Sequence, residues 1–384
     1  MSITYLDLFS GAGGFSLGLE RAGLTPIGAL EFDRFACQTF RNNFPNTPLE
    51  EGDIHKLTKP QILDRYSGVD VIVAGPPCQG FSVAGPSQYG KIDDRNFLIF
   101  EVLRFVNILR PKMFIVENVK GLLSGKLSPE KQAFKEFIHQ VQNAGYHTRH
   151  FVLQAANYGA PQWRERVFIF GTLDENSLPN DIPARFGNSL RPWWKVEDAL
   201  NDLPYVDSGE GTEDMAPYAS EPKNEYQKWL RNGSKGVFNH VAMKHSPRLI
   251  ERFKLIPQGG SLLDVPHEHG QRVRNGSTLD VKERFKMNNQ RLAPNKISTA
   301  VTASFQSNFV HPLLHRNLTA REGARLQSFP DHFIFCGPRT LMSKALLLRE
   351  GREDEIGLSQ YNQIGNAVPP LMAMAIGEEI LACL

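Results

Sequence analysis

Cys78 stands in Gly75-Pro76-Pro77-Cys78-Gln79-Gly80, directly after the apolar run VDVIVA. A lone cysteine after a strand is most often a small buried residue. Two prolines and flanking glycines instead fix a rigid turn that presents the side chain, and a presented thiolate is a strong nucleophile. Glu117 closes another apolar run, in Glu117-Asn118-Val119, and Gln162-Trp163-Arg164-Glu165-Arg166 leads into a further one. Two arginines at i and i+2 point the same way along a strand. A nucleophile, an acid and paired cations at neighbouring strand ends can add to a substrate, move a proton and hold developing charge.

A second set of residues has the types that grip a ligand. Asp7-Leu8-Phe9-Ser10-Gly11-Ala12-Gly13-Gly14-Phe15 joins a strand to a helix, and its glycines let the backbone turn sharply and approach a ligand. Strict dinucleotide spacing would need glycine where Ser16 stands, which disfavours a nicotinamide dinucleotide. Glu31-Phe32-Asp33 begins 18 residues beyond Gly13, where an acid accepts from ribose hydroxyls. In Gly52-Asp53-Ile54 a carboxylate is placed to accept from an adenine amino group, and Phe9 and Phe32 offer ring faces. Each residue alone also reads as a helix cap, a solvated acid or a core aromatic. At consecutive strand ends they fit a nucleoside without phosphates.

The elements that must position these residues follow from periodicity. ITYLDLF, TPIGALEF, VDVIVAGP, KMFIVENV and RVFIFGT read as buried strands. GFSLGLERAG, RFACQTFRNNF, NFLIFEVLRFVNIL and EKQAFKEFIHQVQNAG between them read as amphipathic helices. Such alternation predicts a doubly wound α/β fold with a mixed, mainly parallel sheet, whose ligands lie beyond the carboxyl ends of the strands. From about Asn176 the rhythm stops and Pro, Gly, Asn and charge become frequent, which marks a second domain. PPLMAMAIGEEILACL ends the chain as a helix able to pack back on the first domain.

Composition limits the function classes. At 41% hydrophobic and 22% charged, the 384 residues have ordinary globular proportions. No run reaches the ~18 apolar residues of a membrane span, and the first ten residues lack signal-peptide character. Cys37, Cys78, Cys336 and Cys383 lie far apart without metal spacing, which predicts no disulfide framework, no metal and a reducing cytoplasmic setting. Net charge is +2, from 43 Lys and Arg against 41 Asp and Glu. Residues 223–296 hold 15 basic against 6 acidic side chains, a balance of +9, which leaves 28 against 35, or −7, elsewhere. A contiguous basic stretch of this kind suits the neutralisation of phosphates on a nucleic acid.

The segments DLFSGAGGFSLG, EFD, GDI, GPPCQGFS, DDRNFL, ENV, NYGAPQWRER, RLAPNKISTAVTA, LTAREGARLQSFPD and QIGNAVPP span nearly the whole chain. Together and in this order they resemble the C5-cytosine DNA methyltransferase family of the bacterial restriction-modification type. The resemblance implies a Rossmann-like methyltransferase fold with S-adenosyl-L-methionine as cofactor. It implies a catalytic domain over residues 1–190 and 315–384 and a target-recognition domain over 191–314. By the same resemblance Cys78 attacks C6 of cytosine, Glu117 holds the N3/N4 edge, Arg166 holds O2 and Arg164 supports the pocket. Cofactor contacts map to Phe9, Gly11, Gly13, Gly14, Glu31, Phe32, Asp53, Ile54, Pro77, Leu98, Asn366 and Ala367. The target is double-stranded DNA with its cytosine flipped out, since Cys78 could not reach a stacked base. Residues 79–95 correspond to a mobile catalytic loop, with Gln79 and Ser82 near the extruded nucleotide, and Arg291 to a DNA-backbone or structural contact. A monomer is expected, acting on the same site as a cognate restriction endonuclease and without a membrane.

Three rivals are weighed against this reading. The branch that methylates tRNA carries a Cys-Phe-Thr element absent here, and its variable region is smaller. A silent DNA-binding relative need not keep Cys78, Glu117, Arg164 and Arg166. An NAD oxidoreductase would need the missing glycine. Residues 337–360 exceed the family's usual connection and, being rich in Leu and charge, predict a helical insert.

Overall fold

The apolar runs of the N-terminal half pair into one seven-stranded sheet. Its strands are β1 (Thr4–Leu8), β2 (Thr25–Glu31), β3 (Leu49–Glu51), β4 (Val71–Ala74), β5 (Met113–Asn118), β6 (His147–Gln154) and β8 (Glu165–Thr172). A two-residue strand β7 (Gln162–Trp163) pairs outside that sheet, in parallel with Ser298–Thr299. In the computed structural model, residues 2–77, 98–125, 132–187, 189–271, 288–340 and 344–384 are described.

The order across the sheet is β3-β2-β1-β4-β5-β8-β6. The pairs from β3 through β5 are parallel, whereas β8 runs antiparallel to both β5 and β6. β4 and β5 are buried at every residue, as strands covered on both faces must be. Because β8 is reversed, its first residues lie at the edge where β1, β2, β4 and β5 end. Glu117 therefore stands opposite Phe168, and Asn118 opposite Val167.

Helices α1 (Gly14–Ala22), α2 (Arg34–Asn43), α3 (Lys59–Tyr66), α4 (Leu98–Leu109) and α5 (Ala133–Asn143) connect the strands. Asp33 starts α2 by accepting from Phe35 N and Ala36 N. Gly13 starts α1 at φ 94°, and a Cβ there would lie 2.3 Å from the Phe44 ring, so only glycine fits. Leu6, Ile72, Phe114, Val116, Val106, Phe137 and Ile169 build the core between sheet and helices. The C-terminal helix Pro370–Cys383 packs closely on α1, as its apolar pattern predicts. Strands β3 and β6 and helix α3 were not anticipated from periodicity. Among the described residues, no helix is long and apolar enough to cross a membrane.

The chain divides into two compact units. Met1–Tyr158, Arg164–Leu190 and Ala367–Leu384 make the first, and Gly159–Trp163 with Arg191–Asn366 make the second. The second unit has short strands and an unusual density of buried charge. Its helix Ala320–Leu326 is capped by Thr319 and Glu322 and is buried at every residue. Arg325 in that helix pairs with Asp202 and with Asp331, whose Oδ2 lies 2.7 Å away. Arg316 forks onto both carboxylate oxygens of Glu322, at 2.8 Å each. Buried charges persist where they are paired in this way. Residues 315–366 thus fall in the second unit, whereas the sequence division grouped them with the catalytic domain. The partners of this helix, among them Asp202, Ala199 and Tyr226, explain the difference. Within 337–360 the segment Lys344–Arg349 is helical, and Gln360 N donates to Pro338 O (2.9 Å), closing the excursion at its base.

Candidate active site

The turn after β1 is built on left-handed backbone at Phe9 (φ 60°), Gly11 (φ 55°) and Gly13 (φ 94°). Phe9 is the costly member, because a residue with a Cβ avoids that region; its ring packs on the core. Glu31, at the end of β2, reaches back to this turn. Its Oε2 accepts from Gly11 N (2.7 Å), and its Oε1 accepts from Phe32 N and Asp33 N (2.8 Å each). Burial pushes the Glu31 carboxyl up, and these three N–H donors oppose that shift. Gly52 N donates to Glu31 O at 2.9 Å, which ties the end of β3 to the end of β2.

Phe32 is 74% exposed beside these groups. Asp53 caps the turn Ile54–Lys56, with Oδ1 accepting from His55 N (3.0 Å) and lying 2.8 Å from His55 Nδ1. Ile54 is buried, Gly14 opens α1, Leu98 opens α4 half-buried against the core, and Pro77 is exposed. Ser10 Oγ is buried with no hydrogen-bond partner. Asp7, beneath the turn, is buried and raised to about 7, chiefly by desolvation and against a 2.6 Å hydrogen bond from Ser16. Carboxylates at Glu31 and Asp53 would repel a phosphate, whereas an open ring, an unpaired hydroxyl and acidic acceptors suit an adenosine moiety. The residues present therefore fit a nucleoside such as that of S-adenosyl-L-methionine. Asn366 is exposed at the end of Gln360–Asn366 in the second unit, and Ala367 is the first residue of the segment returning to the first.

The reacting end forms around Glu117. The residue is only 8% exposed, and its Oε1 lies 2.9 Å from Arg166 Nε, an ion pair without an aligned hydrogen bond. Desolvation raises the Glu117 carboxyl, while Arg166 and then Arg164 pull it down. Arg164 is 1% exposed; its Nη2 donates to Ala367 O (3.1 Å), and its own carbonyl accepts from Ala155 N (2.9 Å). Burial, followed by the neighbouring Arg166, presses the Arg164 guanidinium down. Arginine keeps its proton in proteins, so a buried and a half-buried cation flank one carboxylate and the local field is positive.

The exit of β4 lies against this group. Asn118 Nδ2 donates to Pro76 O at 3.4 Å, and a Cβ on Gly75 would stand 3.7 Å from Glu117 Oε2. The backbone that leads to Cys78 thus passes beside Glu117. Cys78, Gln79 and Ser82, with the expected loop 79–95, lie outside the described residues.

Two residues are held in structural networks. Arg291, expected as a DNA-backbone or structural contact, is 4% exposed. Its guanidinium donates to the carbonyls of Ile256 (2.7 Å), His311 (2.7 Å), Leu314 (2.9 Å) and Phe253. It offers no free charge to a phosphate; it gathers four backbone carbonyls. Gln162, which opens the Gln-x-Arg-x-Arg segment but was given no role of its own, is wholly buried in the second unit. It donates to Leu326 O (2.9 Å) and Gln327 Oε1 (2.6 Å) and accepts from Val301 N (3.0 Å). Among the described residues, no cluster of three or more His, Cys, Asp or Glu could hold a metal ion.

A mixed sheet with acids at successive strand ends, and a buried acid between two cations, define a Rossmann-like α/β enzyme. The model of the C-5 cytosine-specific DNA methylase family matches residues 3–382, and the chain belongs to that family. It is a DNA (cytosine-5-)-methyltransferase. The Type II methyltransferase M.DdeI of Desulfomicrobium norvegicum is 44% identical over 379 residues, covering 98% of this chain and 88% of the relative. M1.HphI of Haemophilus parahaemolyticus is 34% identical over 384 residues, covering 99% of this chain and 87% of the relative. Among solved structures, a protein assigned as a prophage-encoded DNA modification methyltransferase of E. coli superimposes with a TM-score of 0.74 at 26% identity, over 99% of both chains. The DNMT2 structure from Spodoptera frugiperda, at 17% identity and a TM-score of 0.55 over 99% of this chain and 100% of that one, shares the fold alone.

Proposed function

We propose that the enzyme moves a methyl group from S-adenosyl-L-methionine to carbon 5 of a flipped-out cytosine in a specific duplex DNA sequence. Cys78 acts by a covalent bond to C6, and the modification protects host DNA in a restriction-modification system. The observation that carries this reading is Glu117, buried and paired with Arg166, beside the Gly75–Pro77 backbone that runs into Cys78. The Type II methyltransferase names of the relatives support the restriction-modification setting.

C5 of cytosine is a weak nucleophile, and addition of a thiolate at C6 makes it an enamine carbon. The positive field of Arg164 and Arg166 favours the Cys78 thiolate. As the sulfur–C6 bond forms, electron density moves toward N3. Glu117 meets that density with a proton on N3, and the carboxylate left behind is held by Arg166. Burial raises the Glu117 proton affinity and two cations lower it, so the group can both carry and release the proton. Arg166 turns toward O2 and holds charge there. Bound cofactor supplies an electrophilic methyl group on a sulfonium centre. Glu31 would hold its ribose, the exposed Phe32 ring would cover its base, and Asp53 would accept from its amino group. Once C5 has taken the methyl group, leaving the donor sulfur as a thioether, a base removes the C5 proton; the C–H electron pair becomes the C5–C6 double bond and the Cys78 thiolate is expelled.

Duplex DNA containing 5-fluorocytosine tests the scheme, because fluorine cannot leave as a proton. Wild type with cofactor should form a complex that survives denaturing electrophoresis, and Cys78→Ala should form none and transfer no label to ordinary DNA. Label transfer by Cys78→Ala at the wild-type rate would overturn the mechanism. Glu117→Gln should lower kcat by ~10²–10⁴-fold.

A further inference from the structure

The turn that carries Asp53 is held from the side by α4, through residues so far given no role. Arg104 Nη2 donates to Ile54 O (2.7 Å) and its Nη1 to Leu57 O (2.9 Å), so one guanidinium clamps both ends of the turn Ile54–Lys56. Glu101 fixes that guanidinium, with Oε2 accepting from Arg104 Nε at 2.7 Å. The other carboxylate oxygen of Glu101 lies 3.9 Å from His55 Nε2. His55 in turn engages Asp53 Oδ1 through its backbone N–H and Nδ1. The contacts run continuously from α4 to the Asp53 carboxylate.

We infer that Glu101, Arg104 and His55 position the Asp53–Ile54 turn and thereby make the nucleoside site selective for a purine with a 6-amino group. Oδ1 of Asp53 already engages His55 twice, which fixes the carboxylate and leaves Oδ2 to accept from a ligand. An acceptor fixed in place rewards a ligand N–H and penalises a ligand that lacks it, since its lone pair then loses water without replacement. Arg104 anchors the backbone on which that direction depends. Leu98, at the start of the same helix, ties the relay to the cofactor reading above, on which this inference rests. These are positioning residues; none of them is placed against the reacting atoms.

Calorimetric titration tests the inference without turnover. Wild type, Arg104→Gln, Arg104→Lys and His55→Ala are each titrated with S-adenosylhomocysteine and with its analogue lacking the 6-amino group. Wild type should prefer the amino form. Arg104→Gln should lose roughly tenfold in affinity for the amino form and little for the analogue, compressing the preference. Arg104→Lys, able to reach one carbonyl, should fall between, and His55→Ala should compress the preference with an unchanged melting temperature. Equal losses for both ligands would show mere structural support and overturn the inference, as would an unchanged preference in all three variants. Wild type binding neither ligand would sink the cofactor reading itself.

Discussion

At single residues, burial separated groups that look alike in sequence. Arg164, Arg166 and Arg291 are all cations within the family's characteristic segments, yet Arg166 faces an acid and Arg291 faces four carbonyls. Removing the Arg291 guanidinium leaves those carbonyls buried without donors. Arg291→Ala should therefore cost about 2–4 kcal/mol in urea unfolding. The slope of DNA affinity against log salt should stay as in wild type. A slope smaller by about one with intact stability would instead mark a lost phosphate contact. Glu31 shows a second subtlety. A carboxylate has about four acceptor sites, so Glu31 can accept from Gly11, Phe32 and Asp33 N–H and still accept from a ribose.

For whole elements, the reversal of β8 is what assembles the candidate site. Had β8 run parallel, Arg166 would sit at the far end of the sheet from Glu117. The seat of α1 is equally exacting. A Cβ on Gly18 would meet Ala373 Cβ at 2.4 Å, Pro370 O at 2.5 Å and Met374 N at 2.6 Å in the C-terminal helix. Two of those three atoms are backbone and cannot rotate away. Gly18→Ala gains about 1 kcal/mol of helix propensity, but forcing the helices apart costs roughly 1–3 kcal/mol. Net destabilisation in denaturant unfolding is the expected outcome, with weaker cofactor binding because α1 carries the Gly11–Gly14 turn. A variant as stable as wild type would show that the two helices separate freely.

Across the molecule, charge is divided between a basic stretch and buried ion networks, and the networks set the acid response. His311 Nδ1 accepts from Leu313 N and Leu314 N (3.1 and 3.0 Å), and burial, opposed by Glu322, lowers the ring from 6.5 to about 4. The unfolded chain takes that proton below pH ~6.5 and the folded chain refuses it until near pH 4. Stability is thus complete above the unfolded value and falls as pH drops through this window, by up to roughly 3 kcal/mol. Glu322 and Asp331, held low mainly by Arg316 and Arg325 against the cost of burial, lose their share at lower pH still. Melting temperatures at pH 8, 6 and 5 at constant ionic strength should decline, and His311→Gln should flatten the change between pH 6 and 5. A flat wild-type profile would show that His311 protonates freely in the folded state.

Residue type and order along the chain were enough to reveal the alternating α/β pattern, the acids at strand ends and the family. Each of those depends on local periodicity or on short segments. Local pattern also held one clue left unread: Thr58 and Gln61 are spaced as a capping box at the start of α3. Three features lay beyond it. The three-residue β3 is too short for a period to register, and β6 sits at an edge where its burial does not alternate cleanly. The reversal of β8 depends on its neighbours, since an apolar run is the same read in either direction. The fate of Arg291, and of the helix Ala320–Leu326, rests on which distant groups reach them, Phe253 and His311 for one, Asp202 and Tyr226 for the other. A charge is costly to bury unless its partners arrive from elsewhere in the chain, and only folding brings them.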